Sequence, residues 1–71
     1  MTVYLYDGSF EGMLTCVYEG YYSDEKPKGI YNTYTYESNL FEKPKFIVTD
    51  LEKSHKVSKG YLLLHKPTDF N

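Results

Sequence analysis

The hydrophobic positions at the start of this chain change from a strand pattern to a helix pattern within ten residues. Residues 3–6, VYLY, are β-branched or aromatic for most of their length and stop at the turn-favouring pair Asp7-Gly8. This predicts an inner strand covered on both faces. From Phe10 onward the apolar residues recur at i, i+3, i+4 and i+7, which predicts an amphipathic helix over about 9–22. Its expected core-facing ridge comprises Phe10, Met13, Leu14, Val17, Tyr18, Tyr21 and Tyr22.

A second strand and a second helix are expected near residue 50. Residues 46–49, FIVT, have the composition of a buried strand, parallel to the first if the helix joins the two. Thr49 and Glu52 have capping-box spacing, which predicts a helix over about 50–60. Gly60 leaves two endings open: the helix continues, or it stops and residues 61–64 form a short strand. The inward side of the second helix would comprise Ser54, Val57, Tyr61 and Leu64.

The stretch between these units, residues 23–44, is polar and contains proline and glycine. Partial alternation over residues 30–36 makes that segment a candidate edge strand. A structureless connection of this length is unusual in a compact domain, so it is either functional or contains an element. The predicted fold class is therefore α/β, a small β-α-(β)-β-α unit with strands 3–6 and 46–49 parallel.

Length and composition limit what the chain can be. Its 71 residues suffice for one small α/β domain with a marginal core. A single cysteine, Cys16, excludes an internal disulfide, and the absence of a signal-peptide pattern is consistent with a cytoplasmic location. Exposed apolar surface on so small a domain leads us to expect self-association into a homo-oligomer.

The chain carries a formal net charge of −2 and nine tyrosines. The charge disfavours strong non-specific binding to nucleic acid. Within residues 26–45, however, cations and rings interleave as they do in proteins that bind single strands. The rings could instead cover the core, because Tyr34 and Tyr36 would share one face of the candidate edge strand with Ile30, and neighbouring acidic residues favour that alternative. The candidate binding residues here are Lys26, Lys28, Tyr31, Tyr34 and Tyr36.

Three polar residues stand where α/β folds usually place ligands, at the end of the first strand. Asp7, Ser9 and Glu11 are candidate binding residues, but helix capping and turn formation explain them more simply. Their spacing is not that of a phosphate-binding loop. We assign no catalytic residue, cofactor or metal site, because no base, nucleophile and stabiliser stand together in the sequence. A small enzyme built around Asp7 and Glu11 is the least favoured alternative.

Residues 3–12, VYLYDGSFEG, resemble the start of a bacterial family of DNA metabolism proteins of unknown function. The similarity continues through Leu14-Thr15 and Val17-Tyr18-Glu19. Weaker similarity covers Ser38-Asn39-Leu40-Phe41 and then Thr49-Asp50, Glu52-Lys53 and Val57. Family members continue beyond this length into a helical region, so the chain resembles the N-terminal portion of a longer architecture.

The resemblance implies a cytoplasmic partner of a radical-SAM DNA modification or repair protein. In some relatives the domain is joined to a uracil-DNA glycosylase-like domain. We therefore expect an accessory or interaction domain of a DNA metabolism or repair system, without catalysis of its own. The alternative is a self-contained module that binds single-stranded nucleic acid or a peptide through residues 26–45.

Overall fold

The computed structural model describes residues 1–60, which form an α/β fold. Within them, three parallel strands form one sheet in the order β2-β1-β3. Two helices follow the first and third strands. The elements are β1 Thr2–Tyr6, α1 Phe10–Tyr22, β2 Gly29–Asn32, β3 Lys43–Phe46 and α2 Leu51–Ser58.

The central strand β1 matches the strand predicted over residues 3–6. Val3 is fully buried and Tyr4 is 3% exposed. Adjacent residues of a strand point to opposite faces of the sheet, so β1 is covered on both sides as expected. Tyr4 belongs to the core cluster together with Cys16 of α1 and Ile47, which follows β3.

The second predicted strand is parallel to β1 as expected, but β3 spans Lys43–Phe46 and overlaps the predicted 46–49 only at Phe46. The amide of Lys43 donates to Met1 O at 2.6 Å, and that of Ile47 donates to Leu5 O at 2.8 Å. β3 is therefore an edge strand of largely exposed, polar residues. The apolar run marks the place where the chain leaves the sheet, since Ile47 is buried while Val48 is 74% exposed.

The connection contains an edge strand, β2, which is shorter than the predicted 30–36. Its ladder with β1 ends at Asn32. The side-chain Oδ1 of Asn32 accepts a hydrogen bond from the Tyr34 amide at 2.8 Å, and its carbonyl accepts from the Tyr36 amide at 3.0 Å. These bonds curl the chain into a turn, so the expectation that Tyr34 and Tyr36 continue the face of Ile30 was wrong.

Helix α1 has the predicted length but is rotated relative to its predicted orientation. Its buried residues are Gly12, Thr15, Cys16 and Gly20. Phe10 is 64% exposed and Tyr22 is 59% exposed, so the expectation that the large apolar ridge covers the sheet was wrong. The small residues allow α1 to approach closely: a Cβ built at Gly20 would lie 3.3 Å from Pro27 Cδ and 3.8 Å from the Tyr4 ring.

Helix α2 is capped by Asp50 rather than by the predicted Thr49. Oδ1 of Asp50 accepts from the amides of Glu52 at 3.0 Å and Lys53 at 3.1 Å. Ser54 is buried on the inward side as expected. The helix ends at Ser58. The two alternatives for residues 61–64, a continued helix or a short strand, lie outside the described residues. Over residues 1–60, neither helix is long and apolar enough to cross a membrane.

Candidate functional site

The carboxyl ends of β1 and β3 meet at a cluster of polar side chains around Asp7. Oδ1 of Asp7 accepts hydrogen bonds from the Ser9 amide at 2.9 Å and the Ser9 hydroxyl at 2.5 Å. Its other oxygen accepts from the Thr49 hydroxyl at 2.9 Å. The Ser9 hydroxyl in turn accepts from the Gly12 amide at 2.9 Å, which caps α1. Each of these polar groups therefore has a partner within the cluster.

Two glycines make this junction sterically feasible. Gly8 has a φ of 88°, a left-handed conformation that favours glycine and turns the chain from β1 into α1. Gly12 lies where a Cβ would be 2.5 Å from Asp7 Oδ1 and 3.0 Å from Thr49 Oγ1. The Asp-Gly-Ser-x-x-Gly spacing thus has a local structural role.

The hydrogen bonds give Asp7 a perturbed acidity. The pKa of the Asp7 carboxyl is lowered below its ordinary value. The main cause is the hydrogen bond from the Ser9 hydroxyl, followed by those from the Ser9 amide and the Thr49 hydroxyl. A carboxylate kept ionised by three donors is suited to fixing a turn and less suited to accepting a proton. Glu11 does not join this cluster by hydrogen bonding in residues 1–60; it lies exposed in the first turn of α1, where the helix dipole favours negative charge.

A second buried bridge joins the two helices beside this cluster. The Thr15 hydroxyl is 1% exposed; it donates to Glu11 O at 2.7 Å and accepts from the Asp50 amide at 3.1 Å. Farther along, the Lys53 ammonium pairs with Glu19, and this contact raises the pKa of Lys53. Two contacts, Thr15 with Asp50 and Glu19 with Lys53, therefore fix the helices to each other.

Cys16 lies in the core below these bridges. It is fully buried, and burial raises the pKa of its thiol to about 11. A thiol in this state is a poor nucleophile at neutral pH. Among residues 1–60, no group of three or more His, Cys, Asp or Glu side chains is arranged to hold a metal ion.

The candidate residues of segment 26–45 make separate sets of local contacts. Lys26 donates to the carbonyls of Gly20 at 2.9 Å and Tyr21 at 2.6 Å, so it caps the end of α1. Tyr31 packs against Tyr36 with ring centroids 5.3 Å apart. Lys28 is exposed, and Tyr34 is 80% exposed at the turn after β2.

A shallow groove of about 350 Å³ lies beside the Tyr31 and Tyr36 rings. The Tyr36 hydroxyl donates to Glu42 at 2.6 Å, which raises the pKa of Tyr36 to about 12. Glu37 also lines the groove. Two carboxylates at this position disfavour a phosphate and favour a neutral or cationic group.

The largest feature that the sequence pattern misplaced is an outward apolar surface on α1. We call it the outer stripe; it comprises Phe10, Met13, Leu14, Val17 and Tyr21. Met13 and Val17 are 40% and 39% exposed, Phe10 is 64% exposed, and the other two are half-buried. Tyr18 lies to one side, where Lys53 and Lys56 cover its ring at 5.5 and 6.0 Å. The periodicity revealed these residues, and only their orientation was misassigned.

The polar cluster and the outer stripe thus differ in chemistry. The polar groups of the cluster are hydrogen-bonded to one another and hold β1, α1 and α2 in place. The outer stripe, in contrast, exposes apolar side chains to water, which is unfavourable. The arrangement is suited to presenting one helix face to another macromolecule. Comparison with family models, curated proteins and solved structures gives no match to this chain.

Proposed function

We propose that this chain is an interaction domain of a DNA metabolism or repair system, without catalysis of its own. The observation that supports it is the outer stripe, which places three exposed and two half-buried apolar side chains on one face of α1. Contiguous exposed apolar surface of this kind marks protein-binding sites in small soluble domains. The biological setting comes from the resemblance of residues 3–12 to the DNA metabolism family.

The motif residues support this proposal through their structural role. Asp7 and Ser9 cap α1 and connect its start to Thr49 after β3. Their side chains form hydrogen bonds within the fold, and these bonds fix the direction in which α1 leaves the sheet. A binding helix that is fixed in advance loses less conformational entropy when a partner docks.

The direct test is co-purification with the radical-SAM protein that the resemblance implies as partner. The Phe10→Glu/Val17→Glu pair introduces two carboxylates into the outer stripe. A matched control, Leu40→Glu/Val48→Glu, places the same charges on residues that are 96% and 74% exposed elsewhere. We expect the stripe pair to abolish co-purification and the control pair to retain it, with circular dichroism verifying that both fold. Equal retention by the two variants would contradict the proposal.

A second candidate function is binding of single-stranded nucleic acid or a peptide through residues 26–45. Tyr34 and Phe41, both about four-fifths exposed, support it, because their rings are accessible in a segment that also exposes Lys28 and Lys43. Base stacking on such rings is tolerant of sequence. Titration of labelled oligothymidylate at low salt tests it: Tyr34→Ala/Lys28→Ala should weaken binding that declines with salt. Salt-independent or undetectable binding would reject the nucleic-acid form.

A further inference from the structure

The groove beside Tyr31 and Tyr36 lies on the face of the sheet opposite α1. Tyr4 belongs to the core cluster with Cys16 of α1, so the next residue of the strand, Leu5, points to the other face. Tyr31 is the partner of Leu5 in the sheet, and its side chain lies on the same side. The groove is therefore separate from the outer stripe, and a ligand bound there leaves that stripe uncovered.

Two aromatic rings form one wall of this groove. The ring centroids of Tyr31 and Tyr36 are 5.3 Å apart, and the ring planes are inclined at 40°. A Cβ built at Gly29 would lie 2.9 Å from Tyr31 Cζ, so the ring rests against a position that glycine leaves free. The Tyr36 hydroxyl donates to Glu42 at 2.6 Å. Both rings are therefore held in position before a ligand arrives.

The remaining lining residues make the groove acidic. They are Thr35, Glu37, Asn39 and Glu42, and no Lys, Arg or His from residues 1–60 lines it. Neither carboxylate forms an ion pair with a side chain in that part of the chain. Oε1 of Glu42 accepts from the Tyr36 hydroxyl, a bond that leaves its second oxygen unused. The groove therefore offers carboxylate oxygens beside the faces of two rings.

The cations close to this segment lie outside the groove. Lys45 is paired with Tyr4 in the sheet and Lys43 lies two residues earlier, so both side chains lie on the α1 face. The Met1 ammonium donates to Phe41 O at 3.2 Å and does not line the groove. Within the groove itself, the two carboxylates are therefore not neutralised.

We propose that this groove binds the side chain of an arginine in a partner protein. Cations are attracted to the face of a tyrosine ring within about 6 Å of its centroid. A guanidinium stacks on such rings and forms two parallel hydrogen bonds with a carboxylate, which an ammonium cannot. It is also more weakly hydrated, which suits a shallow site. The volume of about 350 Å³ is at the low end for ligand pockets and fits one side chain.

NMR titration of the full chain with a blocked Gly-Arg-Gly tripeptide tests the site. We expect saturable shifts of the Tyr31 and Tyr36 ring resonances, with an affinity that decreases as salt is added. Replacing the arginine of the tripeptide by citrulline keeps its shape and removes its charge, and this should weaken binding by roughly fivefold or more. A lysine tripeptide should bind less tightly than the arginine tripeptide. Equal binding of the arginine and citrulline tripeptides would overturn the proposal.

Two charge-matched variants separate the groove from the overall charge of the protein. Glu37→Gln/Glu42→Gln removes both carboxylates of the groove, and the new amide oxygen can still accept from the Tyr36 hydroxyl. Asp24→Asn/Glu25→Gln removes the same charge from exposed residues that follow α1. We expect the first pair to weaken arginine binding as much as citrulline does and the second pair to retain it, with amide spectra verifying that both fold. Equal losses would show only general electrostatic attraction and overturn the site.

The rings have a test of their own. Tyr36→Leu keeps an apolar side chain without the ring, and it should weaken binding by roughly threefold or more. Tyr34→Leu is the matched control, since Tyr34 is 80% exposed and does not line the groove. Shifts of the Tyr31 ring report binding in both variants. Equal affinities of the two variants would exclude stacking on Tyr36 and overturn the arrangement.

These outcomes differ from those that test the proposed functions. The arginine site rests on the peptide form of the second candidate function and is independent of the outer stripe. A chain that binds no arginine tripeptide yet co-purifies with the radical-SAM protein overturns the site and leaves the interaction domain standing. Oligothymidylate should leave the Tyr31 and Tyr36 ring resonances unchanged. Salt-dependent shifts of these rings by the oligonucleotide would assign the groove to nucleic acid and overturn the arginine site.

Discussion

The hydroxyl of Thr49 donates a hydrogen bond to the carboxylate of Asp7 at 2.9 Å, although the two residues lie 42 positions apart in the chain. This contact joins the segments that leave β1 and β3, at the point where α1 and α2 begin. It explains why Thr49 does not cap α2, a role that Asp50 takes. Substitutions in the Asp7 cluster therefore test what positions the two helices.

Stability should decrease in acid through Asp7. Its pKa is lowered in the folded state from the ordinary value of 3.8, so its contribution is present above about pH 4 and is lost as the pH falls through the folded-state pKa. Urea unfolding at a series of acidic pH values measures this. Asp7→Asn should flatten the decline in the free energy of unfolding, and Thr49→Val should flatten it partly. Unchanged slopes in both variants would show that Asp7 titrates alike in folded and unfolded chains.

Gly12→Ala should destabilise the protein even though alanine favours helix. The new Cβ would lie 2.5 Å from Asp7 Oδ1 and displace the carboxylate from its hydrogen bonds. Overpacking of this kind costs about 1–3 kcal/mol, more than the helix propensity gain of up to about 1 kcal/mol. The control Met13→Ala, on the outer stripe, should change the free energy of unfolding by less than about 0.5 kcal/mol. A more stable Gly12→Ala variant would contradict the described packing.

Thr15→Val should loosen the contact between the helices. Valine keeps the shape of the side chain but leaves the partly buried Asp50 amide without its acceptor, the Thr15 oxygen 3.1 Å away. An unsatisfied buried donor costs about 1–3 kcal/mol, measurable by chemical denaturation. Thr35→Val is the matched control, since its hydroxyl is exposed and only 3.4 Å from Asn32 O. Equal losses in the two variants would argue against the buried bridge.

Tyr36 should ionise at unusually high pH. Its hydroxyl donates to Glu42, which favours the neutral phenol and raises its pKa from 10.0 to about 12. The stability that the pair contributes is present below about pH 10 and is lost as the pH rises toward 12. Subtracting the ultraviolet titration of Tyr36→Phe from that of the unaltered chain isolates this phenol. Glu42→Gln should return its pKa toward 10, and an unchanged midpoint would exclude Glu42 as the cause.

Much of the fold was predictable because its signals are local. The strand at residues 3–6, the helix that follows and the Ser9 cap arise from neighbouring residues in the sequence, and the parallel pairing follows from the general rule for strands joined through a helix. The candidate site was predicted in part. Asp7 and Ser9 do lie at the carboxyl end of β1, as helix and turn caps, whereas in segment 26–45 Lys26 caps the end of α1 and Tyr34 is exposed after β2.

The sequence by itself determined where β1 and the two helices form, since residue propensity and periodicity act over a few positions. Only the tertiary structure decided which face of α1 is buried. That helix has a broad apolar face and a narrow face of small residues, and its periodicity is compatible with burying either one. Close approach to the sheet selects the narrow face, because Gly12 must fit against Asp7 and Thr49, and Gly20 against Pro27. Those partners come from distant parts of the chain, so no local pattern contains them.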